Sequence, residues 1–360
     1  MKMKIALLNL PFDANYGGNL QRYALVSFLQ KAGYEIEHIN LRFNYQLPWY
    51  KLPFSYIWRI LQKITIDNKK HIFVEKHLKE EANRKNKNAE LFYNKYIPHT
   101  HIITKKNDLY KLPHYDAYIV GSDQVWRKAM TKQYGLSTYF FDFVKEGNIK
   151  IAYGVSLGSD KNELTSKEIE NLGKLYKQFK TTSVREDSAL QLFKSYQWTS
   201  PQAIQVIDPT FLLTKNEYIK LIDSGSTKPC PGELFCYILD NTLQKDNIIQ
   251  HLASEKQLEV FKTKLDGSVS IEQWLRSFKD AQHIVTDSYH GLIFSIIFNK
   301  PFTLIRNEKR GNARFDSLLT LFDIKINSNS IDWNKINLKI DEEREKAMKF
   351  IQKALNSKNA

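Results

Sequence analysis

The sequence predicts an α/β protein built from two Rossmann-like domains that face each other across a cleft. Two consecutive parts of the chain alternate strand-like and helix-like segments, a stretch rich in glycine, serine and proline separates them, and polar turns follow several apolar strands. Such alternation is typical of parallel sheets covered by helices. Because ligands of these sheets bind beyond the carboxyl ends of the strands, two facing sheets predict a ligand site between them.

The N-terminal domain is predicted over residues 1–215. Its first unit consists of strand 4–10, turn 11–18, helix 19–32 and strand 34–41, with Gly33 as the helix stop. Further apolar strands follow at 115–120, 150–155, 181–184 and 202–207, and a helix begins near Glu186. Nucleotide-type α/β domains begin with this order of elements.

The second part of the chain repeats the alternation after a predicted linker at 216–230, in which glycine, serine and proline mark turns. Strands at 234–239, 258–263 and 302–305 and helices at 270–279 and 313–322 define a second domain over 231–335. Residues 336–360 form a charged terminal segment that is predicted to be helical over 341–355.

The composition restricts the partners and the location. With 53 lysines and arginines against 39 aspartates and glutamates, the chain should attract nucleic acid, anionic membranes or phosphorylated substrates. The lack of a zinc-finger, RNP or basic-zipper pattern argues against nucleic acid as the partner. The lack of a signal-peptide pattern and of a membrane-length apolar run predicts a cytoplasmic protein. No clustered His, Asp or Cys set predicts a metal, and no cofactor is expected.

The turn after the strand-like residues 283–286 holds the strongest catalytic candidate. Asp287 and Ser288 are good N-cap residues, and helical spacing downstream puts His290 in the first turn of a helix. Free N–H groups at a helix start attract anions, and Gly291 lets the backbone approach a ligand closely. An imidazole beside a phosphate or carboxylate site is suited to acid–base chemistry. The alternative is that His290 only binds a neighbouring loop.

Two polar clusters predict a sugar site in the N-terminal domain. The first lies at a glycine-containing helix start, and the second follows the strand at 115–120. The predicted sugar-binding residues are Asn15, Gly17, Gly18, Asn19, Gln21, Asp123, Gln124 and Trp126. Polar groups beside an aromatic face have the composition of a sugar site. The alternative is a tight strand–helix turn with a buried tryptophan.

Six segments carry a resemblance that covers nearly the whole chain. They are Asn15-Tyr-Gly-Gly-Asn-Leu-Gln-Arg-Tyr-Ala24, Tyr118-Ile-Val-Gly-Ser-Asp-Gln-Val-Trp126, Tyr153-Gly-Val-Ser-Leu-Gly158, Ser183-Val-Arg-Glu-Asp-Ser188, Val206-Ile-Asp-Pro-Thr-Phe-Leu-Leu213 and Thr286-Asp-Ser-Tyr-His-Gly291. In this order they resemble the polysaccharide pyruvyl transferase family. The resemblance implies the two-domain fold called GT-B. It also implies an enzyme that moves the enolpyruvyl unit of phosphoenolpyruvate onto sugar hydroxyls and forms a pyruvate ketal. The sugar site predicted in the N-terminal domain would then be the acceptor site, and its residues would be the acceptor-binding residues.

The resemblance also implies roles for single residues. His290 matches the family's catalytic histidine, and Arg185 matches an arginine that is suited to bind the anionic donor. Many relatives carry an arginine where this chain has Ser288. The expected donor site consists of Arg185, Ser288 and Gly291, with Lys309, Arg310 and Arg314 replacing the missing cation. The alternative for Arg185 is an ion pair with a nearby acid such as Glu186 or Asp187.

The serine at position 288 keeps two other functions open. One is a glycosyltransferase of the same fold that uses a nucleotide sugar, and the other is a protein that binds glycans or nucleic acid without catalysis. The aromatic and basic segment at 45–64 either packs on its own domain or lies on an anionic membrane. In the second case the acceptor would be a lipid-linked oligosaccharide, the precursor of a bacterial surface polysaccharide. The protein would then be peripheral at the inner face of the cell membrane.

Overall fold

Two parallel sheets form the framework of the chain. The computed structural model describes residues 2–47, 49–65, 71–306, 313–326 and 331–356. The first sheet has the order β2-β1-β3-β4-β5-β6, with β1 (Lys4–Leu8), β2 (Glu35–His38), β3 (Ala117–Gly121), β4 (Ile149–Val155), β5 (Thr181–Val184) and β6 (Ile204–Gln205). The second has the order β10-β9-β7-β8, with β7 (Leu234–Tyr237), β8 (Val260–Lys262), β9 (His283–Thr286) and β10 (Phe302–Leu304). Every strand pair is parallel.

The described ranges also contain α-helices. They are α1 (Tyr16–Lys31), α2 (Leu52–Thr65), α3 (Val74–Tyr96), α4 (Ser166–Tyr176), α5 (Asp187–Ser195), α6 (Lys215–Asp223), α7 (Leu243–Lys256), α8 (Ile271–Asp280), α9 (Tyr289–Ile297), α10 (Ala313–Leu321) and α11 (Trp333–Asn356). No helix in the described ranges is long and apolar enough to cross a membrane.

Local sequence explains where several helices begin. Asn15 caps α1, because its side chain accepts a hydrogen bond from a backbone N–H of the first turn. Thr165 and Thr214 begin α4 and α6 with capping boxes, in which Glu168 and Glu217 bond back to the cap residue. These side chains satisfy backbone donors that the helix itself leaves unpaired.

The two sheets place their topological switch points on one cleft. In the first sheet the chain leaves β1 towards β2 and leaves β3 towards β4, so the switch lies between β1 and β3. In the second sheet the switch lies between β7 and β9 for the same reason. The crevice beyond such strand ends is where open α/β sheets bind ligands. The loops after β1, β3, β7 and β9 therefore supply the candidate site.

The two halves also share a hydrophobic core. One cluster of buried side chains includes Leu7 of β1 and Phe235 of β7. Tyr16 of α1 stacks on Trp274 of α8 with 5.2 Å between ring centroids, and its hydroxyl donates to the Val269 carbonyl at 3.0 Å. A shared core of this kind holds the two halves in a fixed relation.

The structure corrects two of the sequence-based boundaries. Residues 216–230 were predicted to be a linker, yet they contain most of α6, whose Tyr218 is buried. The terminal helix begins at Trp333, earlier than predicted, and packs back on the first half, where Arg344 donates to the Phe211 carbonyl at 3.1 Å. The capping box at Thr214 and Glu217 is a local signal for α6 that the linker prediction missed, whereas the early start of α11 is stabilised by packing, since Ile336 is buried. The domain boundaries themselves stay predictions.

Candidate active site

A cleft of about 550 Å³ lies between the two switch points. The loops after β1 and β3 and one side of α3 line it from the first half, and the ends of β7 and β9 with the starts of α9 and α10 line it from the second. Six of the predicted site residues line this cleft, namely Asn15, Asp123, Gln124, Ser288, His290 and Arg314. Lys309 and Arg310 lie outside the described residues. The helices α1 and α9 both begin at the cleft, where unpaired N–H groups favour anions.

His290 lies in the first turn of α9, where the sequence predicted it, and its buried ring lines the cleft. Ser288 caps the helix, because its hydroxyl accepts a hydrogen bond from the Gly291 N–H at 3.4 Å. Burial lowers the pKa of His290 to about 4, although the carboxylate of Asp208 opposes the shift. Nε2 of His290 has no hydrogen-bond partner in the protein. At neutral pH His290 is therefore a neutral imidazole, and its Nε2 is buried without a hydrogen-bond partner in the protein.

Gly17 of α1 touches the His290 ring from the other half of the protein. A Cβ at Gly17 would lie 2.0 Å from Nδ1 of His290, so no side chain fits there without moving the ring. Because α1 begins at Tyr16, earlier than predicted, Gly17 and Gly18 belong to the helix and not to a turn. Both glycines are buried and neither lines the cleft. The structure thus corrects their predicted role in acceptor binding and gives Gly17 a role in positioning His290.

A buried ion pair lies beside His290. Nη1 of Arg185, which follows β5, donates to Oδ2 of Asp208 at 2.8 Å. Asp208 also accepts from Gln21 Nε2 at 2.6 Å and from the Thr210 hydroxyl at 2.7 Å. Burial raises the pKa of the Asp208 carboxyl, but the charge of Arg185 and the hydrogen bonds from Thr210 and Arg185 oppose it, and the pKa lies below its ordinary value. The network holds a negative charge next to the imidazole.

Arg185 does not line the cleft, since its side chain is only 1% exposed. The prediction that it contacts the donor directly is therefore corrected: Arg185 hydrogen-bonds to the buried Asp208 and also forms a longer ion pair with Glu186 of its own segment. Its Nε and Nη2 have no hydrogen-bond partner, although Asp123 and Glu186 each lie 3.8 Å away. Arg185 acts on the site as a buried charge behind the imidazole.

Two arginines flank the ring of Tyr289. The guanidinium carbon of Arg185 lies 4.6 Å from the ring centroid and that of Arg314 lies 5.3 Å from it. Arg314 lines the cleft although it is only 8% exposed. Burial and the charge of Arg185 lower the pKa of Arg314. An anion bound in the cleft would offset this electrostatic cost, so Arg314 is suited to bind one.

The first half contributes two carboxylates to the cleft. Asp13 follows β1 and Asp123 follows β3. Burial raises the pKa of Asp13, Arg22 and the Asn15 N–H lower it, and the charge of Asp123 raises it further. Asp123 adopts a φ of 62°, a left-handed conformation that residues other than glycine rarely adopt and that is concentrated at functional sites. The two carboxylates are suited to accept hydrogen bonds or a proton from hydroxyls.

Three residues predicted to bind the acceptor instead belong to the protein interior. Trp126 is 3% exposed and stacks on Phe140 with 4.3 Å between ring centroids, and its indole N–H donates to a backbone carbonyl at 2.9 Å. Asn19 is buried and donates to the Asp13 carbonyl at 2.9 Å. Gln21 belongs to the ion-pair network described above. For Trp126 the alternative of a buried tryptophan is therefore correct.

Three further predicted residues have structural roles of their own. Asn15 caps α1, and Gln124 accepts a hydrogen bond from Arg127 at 2.9 Å. A Cβ at Gly291 would lie 2.1 Å from Oγ1 of Thr286, so this glycine lets α9 begin close to β9. Asn15 and Gln124 nevertheless line the cleft, whereas Gly291 lies behind it.

Four candidates were missed from the sequence: Asp13, Lys85, Asp208 and Tyr289. Asp208 carried a signal, because it lies in one of the six segments of the resemblance. Lys85 carried none, because on the basic helix α3 its position resembles that of any other exposed lysine. Only the fold brings α3 to the cleft. In the described ranges, no three His, Cys, Asp or Glu side chains come together as metal ligands.

Solved structures define the class of fold. A proposed UDP-N-acetylglucosamine 2-epimerase from Listeria monocytogenes has a TM-score of 0.51 and 9% identity, over 98% of this chain and 91% of that one. The corresponding epimerase from Rickettsia bellii has a TM-score of 0.44 and 9% identity, over 99% and 98%. An α-glucosyltransferase in complex with UDP-glucose and DNA has a TM-score of 0.43 and 10% identity, over 98% of this chain and 95% of that one. The similarity to the Listeria protein, with a TM-score above 0.5 at 9% identity, shows the fold alone, and that fold is GT-B.

The family model for polysaccharide pyruvyl transferases matches residues 15–309. The chain therefore belongs to the polysaccharide pyruvyl transferase family and is an enzyme, which confirms the resemblance seen in its six segments. The matched range includes both sides of the cleft, from the start of α1 to the residues after β10. No curated protein matches the sequence.

Proposed function

We propose that the protein transfers the pyruvyl unit of phosphoenolpyruvate to two hydroxyls of a bacterial surface glycan precursor and forms a pyruvate ketal. The proposal is carried by His290, a buried neutral imidazole that lines the cleft and whose Nε2 has no hydrogen-bond partner in the protein. A donor with a phosphate and a carboxylate needs cations and N–H groups, whereas an acceptor hydroxyl needs hydrogen-bond acceptors. The two sides of the cleft offer these groups separately.

The second half of the protein is suited to the donor. The start of α9 offers backbone N–H groups, and Arg314 offers a guanidinium that can bind an oxyanion through two hydrogen bonds. Arg314 reaches the cleft from α10 and so compensates for the serine at position 288. Lys309 and Arg310 remain part of this proposal, although they lie outside the described residues.

The first half is suited to the acceptor. Asp13, Asp123, Asn15 and Gln124 present carboxylate and amide groups to the cleft, and such groups bind sugar hydroxyls. We propose a lipid-linked oligosaccharide as the acceptor, because the segment after Tyr45 leads from the cleft to the exposed apolar helix α2. The acceptor sugar is to be identified by assay.

The reaction redistributes two hydroxyl protons. One acceptor hydroxyl adds to C2 of phosphoenolpyruvate while the methylene carbon gains a proton and becomes a methyl group. The bond between C2 and the phosphate oxygen breaks, the second hydroxyl adds to C2, and hydrogen phosphate leaves with the remaining proton. We assign proton delivery at the methylene carbon to His290, and removal of a hydroxyl proton to Asp13 or Asp123. In this scheme phosphoenolpyruvate is a co-substrate, and Arg314 and the start of α9 stabilise the leaving phosphate.

The low pKa of His290 couples its protonation to donor binding. Burial holds the pKa at about 4, so the free protein carries a neutral imidazole at neutral pH. Negative charges of the donor beside the ring favour the imidazolium and raise this pKa. We therefore propose that binding of phosphoenolpyruvate is accompanied by uptake of a proton at His290. The acid is then formed only when the donor is in place.

Calorimetry tests the proposal. Phosphoenolpyruvate is titrated into the protein at neutral pH in buffers of different ionisation enthalpy, and we expect uptake of up to about one proton per bound donor. His290→Gln should retain binding and lose the uptake. Exposed His251→Gln is the matched control and should behave as the wild type, since His251 lies on α7 with a side chain that is 83% exposed. Binding without proton uptake would overturn the assignment of His290 as the acid.

A glycosyltransferase that uses a nucleotide sugar is the second candidate. The observation in its favour is the serine at position 288, since many family members carry an arginine there. A thermal-shift panel of phosphoenolpyruvate and nucleotide sugars separates the two functions. Stabilisation by a nucleotide sugar together with no response to phosphoenolpyruvate would replace the first proposal by the second. Membership of an enzyme family argues against the remaining alternative, a protein that binds glycans or nucleic acid without catalysis.

A further inference from the structure

We propose that the exposed face of α2, together with the basic helix α3, docks the protein on anionic phospholipid membranes. Phe54, Ile57, Trp58 and Leu61 of α2 are 78%, 59%, 62% and 51% exposed. Their spacing of three and four residues puts them on one side of the helix. None of the described side chains of α2 is buried. An exposed apolar helix face that does not pack in the protein core marks a contact surface for another molecule or a membrane.

The charges around this face indicate which kind of partner it binds. The described residues between Trp49 and Lys87 include eight lysines and arginines but only three acidic residues, and α2 contains no acidic residue. Lys51 just before α2, Lys63 near its end, and Lys76 and Lys79 on α3 are all exposed. Aromatic and aliphatic side chains beside lysines are typical of helices that lie on anionic bilayers.

Specific contacts hold α2 in a fixed orientation on α3. Arg59 donates to both carboxylate oxygens of Glu75, each at 2.7 Å. The rings of Tyr56 and Phe73 meet edge to face with 5.3 Å between centroids. Phe73 is itself 59% exposed and extends the apolar surface to the start of α3. The docking face is therefore a rigid part of the protein.

The length of α2 favours an orientation parallel to the membrane. At 1.5 Å per residue its 14 residues span about 21 Å, less than the roughly 30 Å of a bilayer's hydrocarbon region. Tryptophan and phenylalanine prefer the interfacial layer, where the rings are in contact with both lipid chains and headgroups. In this orientation the apolar face enters the membrane and the lysines contact the headgroups.

Helix α3 connects the docking face with the cleft. Glu75, which holds α2, lies about 15 Å along α3 from Lys85, which lines the cleft. Ala82 and Asn86 line it from the same helix. A glycan attached to a membrane lipid would therefore be presented beside the site. This last step rests on the proposed function, whereas the docking itself does not.

A second copy of the chain fits this face less well. A symmetric dimer would bring two lysine-rich surfaces together, and like charges at an interface are unfavourable. An acidic protein partner would satisfy the charge but remains an outcome of the test. The lipid surface satisfies both the apolar side chains and the lysines.

Sedimentation with vesicles tests the inference. The full chain is mixed with vesicles of phosphatidylcholine alone and of phosphatidylcholine with phosphatidylglycerol, none of which contains a glycan lipid. We expect binding to the anionic vesicles that weakens as salt is raised, because exposed charges are screened. The double variant F54S/W58S should lower the partition coefficient by roughly tenfold or more. Leu243 and Leu338 are 84% and 67% exposed elsewhere, so L243S/L338S is the matched control and should bind as the wild type does.

Two companion measurements make every result decisive. Light scattering determines whether F54S/W58S changes the oligomeric state, and calorimetry determines whether it changes the affinity for phosphoenolpyruvate. Lost vesicle binding with unchanged oligomeric state and donor affinity supports the proposal. Equal vesicle binding by wild type and variant, or a wild type that ignores anionic vesicles at low salt, overturns it. A variant that only dissociates an oligomer would assign the face to protein contacts. Failure of donor binding alone would concern the proposed function and leave the docking intact.

Discussion

Replacing Gly17 by alanine should disable the site without unfolding the protein. The new Cβ would lie 2.0 Å from Nδ1 and 2.2 Å from Cγ of His290. Non-bonded heavy atoms pack at about 3.5–4.0 Å, so the imidazole must move by roughly 1.5 Å. A displacement of about 1 Å at a catalytic group costs on the order of 100-fold in rate, and we therefore expect kcat to fall at least about 100-fold.

Gly18→Ala is the matched control in the same helical turn. A Cβ at Gly18 would meet Asn15 at 3.7 Å, which is an ordinary contact. Because alanine favours a helix over glycine by up to about 1 kcal/mol, this variant should be as active as the wild type and at least as stable. The pair separates a general effect of side chains in α1 from the specific contact with His290.

The assay is the initial rate of phosphate release from phosphoenolpyruvate with a lipid-linked oligosaccharide acceptor. Thermal melts followed by circular dichroism confirm that both variants are folded. A folded Gly17→Ala protein with the wild-type kcat would show that the imidazole does not need its present position. Equal losses in both variants would show that the effect does not come from the His290 contact.

Three further predictions concern the charges of the site. Asp208→Asn should leave Arg185 buried without its carboxylate and lower the free energy of unfolding by about 3–5 kcal/mol in urea melts; no measurable loss would contradict a buried ion pair. Arg314→Ala should weaken phosphoenolpyruvate binding by about 1.5–3 kcal/mol in calorimetry. The loss should be nearly independent of salt because Arg314 is buried, and the exposed control Arg306→Ala should have no effect. Equal donor affinities of Arg314→Ala and the wild type would remove Arg314 from the donor site. The pKa of His290 is about 4 in the native protein and 6.5 in an ordinary histidine, so the unfolded state gains its proton first as the pH falls. Acidification through this range should therefore remove about 3 kcal/mol of unfolding free energy. Urea melts across the range should show a correspondingly smaller loss for His290→Gln. If the unfolding free energies of variant and wild type fell in parallel with pH, the lowered pKa of His290 would be refuted.

The order of elements could be predicted because it depends on local sequence patterns. The strand predicted at 181–184 is β5 in the structure, and His290 lies in the first turn of a helix as its N-cap signal predicted. These features need only apolar runs, capping residues and spacing. The early start of α1 at Tyr16 also had a local cause, the cap at Asn15, but two glycines in the first turn resemble a loop.

The roles of site residues could not be predicted from the same patterns. Trp126 and Asp123 lie in one segment, yet Trp126 packs on Phe140 in the core while Asp123 lines the cleft. Arg185 is next to polar residues in sequence, but its partner Asp208 comes from the following strand–loop unit. Contacts between distant segments determine which side of a polar turn faces a ligand. Local patterns in a single sequence do not predict those contacts.

The contacts between the halves indicate a site that is formed before substrates bind. The Gly17 contact with His290 crosses the cleft, and so does the stack of Tyr16 on Trp274. On another side, the Ser317 hydroxyl of α10 accepts a hydrogen bond from Gln205 of β6 at 2.8 Å. Separating the halves would expose the shared core, and a large apolar interface opposes domain motion. Preorganised charges stabilise a transition state without the cost of rearrangement. His290, Asp208 and the two arginines keep their relative positions only if the two halves stay fixed to each other. The shared core holds the halves in this way.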